Sequence, residues 1–190
     1  MGISCITRNG YYILHFLLLL IILIITPSSS SLSFKDIVTK ELINNFCSNL
    51  EMFDRQFCAK WFNADQKTKS ISVQGFISLR VKETREFGLQ TQALMSKLAK
   101  SSGKDQQLKG SYESCVASYG QAIKELEKAQ KFLSSNSFTQ ALVAISDAFY
   151  KAGDCKDAFE GPSNEPPLVF NRVENFANMC YVTWSFGSLI

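Results

Sequence analysis

CVASYGQAIKELEKAQKFLSSNSFTQALVAISDAFYKAGDC, residues 115–155, begins and ends on cysteine and breaks at its centre on Ser134, Ser135, Asn136 and Ser137. Cys115 and Cys155 lie equally far from Ser135, 20 residues on either side. In an antiparallel helix pair, residues equidistant from the turn stand at the same height, so this spacing predicts a disulfide between them. Both flanks read as helix. Before the break, Leu108, Tyr112, Cys115, Tyr119, Ala122, Leu126, Ala129 and Leu133 alternate steps of four and three, with Lys124, Glu125, Lys128 and Lys131 turned away. Such a heptad-like seam suits helices packed near-parallel at about 20°. After it, Leu142, Ile145, Phe149, Ala152, Cys155 and Phe159 form a second stripe. Ser137 to Gln140 spells the Ser-x-x-Gln capping box that opens a helix, and Gly161-Pro162 closes it.

Working outward, the same period recurs on both sides. Ile37, Val38, Leu42, Ile43 and Phe46 predict an amphipathic helix over 35–46 that leads into Cys47. A second short helix around Arg55–Phe62 folds back to bring Cys58 to Cys47, a disulfide-stapled hairpin over 34–62. A polar linker at 63–69 follows. Val73, Ile77, Val81, Thr84, Gly88, Thr91, Met95 and Leu98 then mark a long helix with one core stripe, ended by Ser101, Ser102 and Gly103; Gly75 and Gly88 in it suggest close packing. The last helix starts at Glu165, Pro166 and Pro167 and turns Val169, Val173, Phe176, Cys180 and the apolar tail to Ile190 inward. Short connections force neighbouring helices to be antiparallel. The predicted fold is all-α: an up-and-down four-helix bundle over 70–190, preceded by the hairpin.

Arg8, the apolar run Ile13–Ile25, Pro27 and the small residues Ser28–Ser31 have the three-part form of a secretory signal peptide. Cleavage is expected between Ser30 and Ser33, leaving one domain over 34–190. An uncleaved membrane anchor is the competing reading, and the run is shorter than the roughly 20 residues a bilayer span needs. Removal takes away Cys5, Arg8 and His15, the chain's one histidine, and lowers the formal net charge from +3 to +2. Lysines interleaved with acids at so small a net charge argue against nucleic acid as a partner. No Asn-x-Ser/Thr acceptor for an N-glycan occurs.

A mature chain without imidazole excludes Ser-His-Asp and Cys-His catalysis and nearly all zinc sites. The cysteines contain no Cys-x-x-Cys, so neither a metal site nor redox exchange is expected. Glu113, Glu125, Glu127, Asp154 and Asp157 lie beside lysines on helical faces and read as solvated charge. We expect no enzyme and no cofactor. Cys180 is left over, either as a buried free thiol or as one end of an intermolecular bridge.

The residues Cys115, Tyr119, Ala122, Leu126, Ala129, Leu133, Phe138, Ala141, Ala148, Asp154, Cys155, Asp157 and Phe159, with the Phe57-Cys58 pair upstream, resemble the core pattern of the plant pectin methylesterase inhibitor and invertase inhibitor family. The resemblance implies a four-helix bundle behind a short helical hairpin, with disulfides in both. It also implies inhibition of a secreted carbohydrate-active enzyme of the cell wall, in the apoplast, by stoichiometric docking over the active-site cleft. Invertase-directed members carry Pro-Lys-Phe in the turn between the disulfide-linked helices, where this chain has Asn136, Ser137 and Phe138. The missing proline and cation favour pectin methylesterase as the target and leave acid invertase as the alternative. Partner contacts are expected at Gln121, Lys124, Glu125 and Lys128, and at Asn136 and Phe138 in the turn. A third reading from another class is a carrier whose phenylalanines line a cavity for an apolar small molecule.

Overall fold

The computed structural model describes residues 32–50, 55–64, 71–159 and 166–190, and among them the chain forms six helices. These are α1 (Lys40–Ser48), α2 (Arg55–Phe62), α3 (Val73–Ser101), α4 (Gln106–Ser134), α5 (Phe138–Asp157) and α6 (Pro167–Gly187). The leader and its cleavage point, most of the linker at 63–69, Glu165 and the Gly161-Pro162 stop lie outside the described residues. The architecture is the expected one, a hairpin followed by a ring of four long helices in which α3 packs on α4, α4 on α5, α5 on α6 and α6 on α3.

Register along each pair follows from the turn that joins it. On the α4–α5 side, Cys115 and Cys155 are bonded with Cα atoms 4.3 Å apart, Ser111 Oγ donates to the Ala158 carbonyl at 2.7 Å, and Tyr112 meets Phe159 edge-on. All three pairs straddle Ser135. So close an approach needs small side chains, and α5 supplies Ala141, Ala144, Ala148 and Ala152, each buried, opposite Ala122 and Ala129 of α4. The expected stripe on α5 is corrected accordingly. Leu142 and Phe149 are only half-buried, because the face that meets α4 is the alanine face a step away. Glycine does the same work between α3 and α6, where a Cβ on Gly88 would stand 2.8 Å from the Phe176 ring.

Helix starts show where local pattern misleads. The first helix begins at Lys40 rather than Lys35. Ser33 and Asp36 close a turn, Ile37 bridges to Ser72, the Val38 amide donates to the Ile71 carbonyl, and Thr39 caps α1 by accepting from the Leu42 amide. Those backbone groups are already committed to the start of α3 and are lost to a helix. The capping box at 137–140 does not form either. Ser137 has φ −94° and ψ 66°, not the extended setting of an N-cap, and its Oγ accepts from Ser135 Oγ instead. Asn136, at φ 58°, turns the chain. The C-terminal tail is not wholly inward: Trp184 and Leu189 are exposed while Val182 and Phe186 are buried.

The hairpin joins the bundle through rings. Phe62 packs against Phe46, Phe76 and Phe186 at centroid distances of 5.9, 4.8 and 5.5 Å, two of the three edge-on. Cys47 and Cys58 are bonded and buried behind this cluster. In the loop-entropy account a 40-residue loop stabilises by about 4 kcal/mol and an 11-residue loop by about 3. Replacing Cys115 and Cys155 together by alanine is therefore expected to lower unfolding free energy more than replacing Cys47 and Cys58, as measured by urea unfolding of the oxidised chain. A larger loss from the hairpin pair would show that ring packing there depends on its staple.

Candidate functional site

Gln121, Lys124, Glu125 and Lys128 fall on one face of α4, within two turns, as their spacing requires. Gln121, Lys124 and Lys128 are exposed. Glu125 is not freely presented: its side chain is 19 % exposed, and its Oε1 lies 2.7 Å from Lys128 Nζ. Lys124 has no ion-pair partner among the described residues, so it presents an uncompensated cation. The turn residues stand apart from this face, about 12 Å further along the axis at 1.5 Å per residue. Asn136 is exposed, yet its Oδ1 accepts from Gln74 Nε2 at 3.1 Å, while the same amide donates to the Leu133 carbonyl at 2.9 Å. Phe138 is half-buried and stacks nearly parallel on Phe34, with 11° between the rings. Its ring anchors the N-terminal strap to the bundle more than it offers a free contact.

Behind the α4 face runs a polar seam that the sequence reading missed. Gln74 reaches Leu133 and Asn136, Ser78 Oγ donates to Gln130 Oε1, Arg85 donates twice to Glu127 Oε1 at 3.0 and 2.6 Å, and Gln92 donates to the Val116 carbonyl. Each pair straddles the Gly103–Asp105 turn, so the seam fixes the height of α4 against α3. Its trace in the sequence is the seven-residue step Ser78, Arg85, Gln92 on α3.

Arg80 was missed as well. It sits on the core stripe between Ile77 and Thr84 and is 1 % exposed. Its guanidinium lies over Phe76, Trp61 and Phe62 at 4.9, 5.6 and 5.9 Å, donates to the Trp61 carbonyl at 3.2 Å, and contacts Glu83 Oε2 at 2.6 Å. One cation thus ties α2 to α3 through two rings of α2 and a main-chain oxygen, with Phe76 of its own helix as the third ring. The other rings pack on one another where an apolar carrier would need open volume: Phe176 meets Tyr119, and Phe186 meets Phe46, Phe62 and Phe76. Cys180 is free and buried, and burial pushes its thiol pKa up. Among the described residues, no cluster of His, Cys, Asp and Glu is arranged to hold a metal ion, and no helix is long and apolar enough to cross a membrane.

The features assembled so far are a disulfide-locked helical bundle, a stapled hairpin held to it by rings and a buried cation, and a polar outward face. They define a cross-linked all-helical scaffold. The family model described as plant invertase/pectin methylesterase inhibitor matches residues 41–185, and the chain belongs to that family. It is 29 % identical over 163 residues to a pectinesterase inhibitor of Actinidia deliciosa, covering 85 % of this chain and 86 % of the relative. Two solved structures share the fold. Mutant form A of a pectin methylesterase inhibitor from Arabidopsis superposes with a TM-score of 0.68 at 24 % identity, over 77 % of this chain and 95 % of the other. A pectin methylesterase inhibitor from Arabidopsis thaliana superposes with a TM-score of 0.59 at 23 % identity, over 80 % and 97 %.

Two outcomes follow from the buried groups. Arg80→Ala should lower unfolding free energy by about 3 kcal/mol, whereas Arg85→Ala, at a half-exposed pair, should cost less than about 1 kcal/mol. Trp61 fluorescence in a Trp184→Phe background reads both. The folded mature chain, without Cys5, should react with a thiol reagent at pH 8 only after denaturant is added, because a buried thiol with a raised pKa yields little accessible thiolate. Immediate reaction in the folded state would contradict the placement of Cys180.

Proposed function

We propose that this protein is a secreted, stoichiometric inhibitor of a pectin methylesterase. Its mature domain spans residues 34–190 after loss of the leader at 1–31, and it acts in the cell wall. The observation that carries the reading is the family match across 41–185, together with a curated relative whose name specifies pectinesterase inhibition. The geometry supplies a mechanism. The α4 face from Gln121 to Lys128 is backed by a disulfide on the α5 side and by the polar seam on the α3 side, so it can be pressed against an enzyme without rearranging. A stiff surface loses little conformational freedom on binding, and this helps a standard interface of about 1,600 Å² hold tightly. The bundle lies across the target's cleft and shuts out the polymer.

The turn supports a pectin methylesterase over an acid invertase. Asn136 is tied down by Gln74 and Phe138 stacks on Phe34, so the turn residues themselves present neither the proline and cation nor a free ring to a sugar pocket. The purified mature chain, assayed side by side against one pectin methylesterase and one acid invertase, should abolish ester hydrolysis near equimolar ratio and leave sucrose hydrolysis unchanged. Lys124→Glu should weaken inhibition by about tenfold, or about 1.4 kcal/mol. Full esterase activity at micromolar inhibitor would sink the reading, and selective loss of invertase activity would move it to the alternative target.

A further inference from the structure

The interleaving of lysine with acid holds for most of the chain and fails at one end of the bundle. Between Glu86 and Asp105 there is no acidic residue, while Lys97, Lys100 and Lys104 all occur there. All three are exposed, and none has an ion-pair partner among the described residues. Lys109 joins them from the first turn of α4, a place where the helix dipole disfavours a cation, and its one partner, Glu113, is 3.8 Å away on an exposed surface. Asp105 is occupied as the cap of α4, accepting from the Leu108 amide at 3.0 Å. Between α3 and α4 an open groove of about 450 Å³ is lined by Ser96, Lys100, Gly103, Lys109 and Glu113 among others, and Lys97 and Lys104 neighbour these lining residues in the sequence. Gly103, at φ 61°, lets the chain reverse there without a side chain in the mouth. Stability does not ask for this arrangement: dipole compensation accounts for Lys100 in the last turn of α3 but not for Lys104 and Lys109.

We infer that this end of the bundle binds a polyuronate, an acidic polysaccharide chain, separately from the face that binds the enzyme. The identity of the polymer rests on the pectin methylesterase reading. Hydrolysis of each methyl uronate ester consumes a water and releases methanol and a proton, leaving a carboxylate, so the target enzyme converts a neutral chain into a polyanion. Lys97 and Lys100 stand one turn apart at the end of α3, Lys104 follows in the turn and Lys109 in the first turn of α4, so the cations gather at one end of the bundle, an arrangement suited to repeated carboxylates. Glu113 selects for sugar. A uronate carries hydroxyls on every ring that can donate to a carboxylate while its own carboxylate takes the lysines, whereas the sugar–phosphate backbone of DNA has no such hydroxyl donors. Lys109 lies about 18 Å along α4 from Gln121, so a chain held here leaves the enzyme-facing surface clear. The inhibitor would then be retained where de-esterified product accumulates.

The experiment is salt-gradient elution of the oxidised mature chain from immobilised polygalacturonate and from its fully methyl-esterified form. The wild type should be retained on the first and pass through the second. Replacing Lys97, Lys100, Lys104 and Lys109 by glutamine should weaken retention about tenfold. A variant with Lys35, Lys40, Lys60 and Lys82 replaced instead, equal in net charge, should elute close to wild type. Soluble oligogalacturonate should displace the bound chain at a lower charge concentration than single-stranded DNA. Equal loss in both lysine variants, retention on the esterified polymer, or equal displacement by DNA would each overturn the inference. Far-UV circular dichroism confirms that the variants fold. Esterase inhibition in solution, measured separately, should survive loss of these four lysines; if the wild type failed to inhibit yet stayed on the column, the functional reading would fall and the binding site would stand.

Discussion

The approach of α4 to α5, with bonded cysteines 4.3 Å apart at Cα, is the constraint to which the other contacts answer. Helices usually pack with axes 8–10 Å apart, the distance set by the side chains between them. At the lower limit only alanine-sized groups fit, and this is why Ala122 and Ala129 face the alanine row of α5. Once these two helices are this close and joined at one height, rotation of either would force a larger side chain into the seam. The faces they turn toward α3 and α6 are therefore fixed, and the Tyr119 ring is aimed at Phe176 and its hydroxyl at the Arg172 carbonyl.

The opposite solution is used between α3 and α4. There the helices are registered by amide and guanidinium groups of moderate exposure, each worth little alone. Their value lies in position. Hydrogen bonds at Gln74, Ser78, Arg85 and Gln92 are spread over the length of α3, so a slip by one turn would break all of them at once. An apolar seam of leucines would tolerate such a slip more readily. The hairpin is held by a third device, a guanidinium set over rings of both α2 and α3.

Most of the fold was legible because it rests on periodicity and symmetry. The core positions Tyr112, Cys115, Tyr119, Ala122, Leu126, Ala129 and Leu133 of α4 are buried as the stripe demanded, and the equal spacing of Cys115 and Cys155 about Ser135 encodes their common height. What was not legible rests on non-local competition. Ile37 and Val38 fit a helical pattern, yet their backbone is taken by Ile71 and Ser72, more than thirty residues away. Ser137 and Gln140 spell a cap, but the left-handed Asn136 sets the chain direction first. Alanines carry almost no hydrophobic signal, so the tightest seam was the least visible. Arg80 was passed over because a charge is discounted on a core stripe, although its step from Ile77 to Thr84 placed it there. The outward face of α4 was readable as exposed and polar; the pairing of Glu125 with Lys128 followed from their spacing, whereas the tie from Asn136 to Gln74 depends on α3 lying alongside.

These three devices divide the surface by consequence. Where α4 is clamped on two sides, its exposed residues inherit rigidity, which is what a blocking surface needs. At the α3–α4 turn the caps are joined by one main-chain bond, Asp105 amide to Ser102 carbonyl, and the lysine side chains there are long, charged and solvated. A surface of that kind suits a flexible, repetitive polyanion, since neither partner has to be ordered into a single geometry and binding is carried by many weak charge contacts. The chain thus sets a stiff polar face on α4 and a solvated cationic cluster where α3 turns into α4, with about 18 Å of α4 between Lys109 and Gln121.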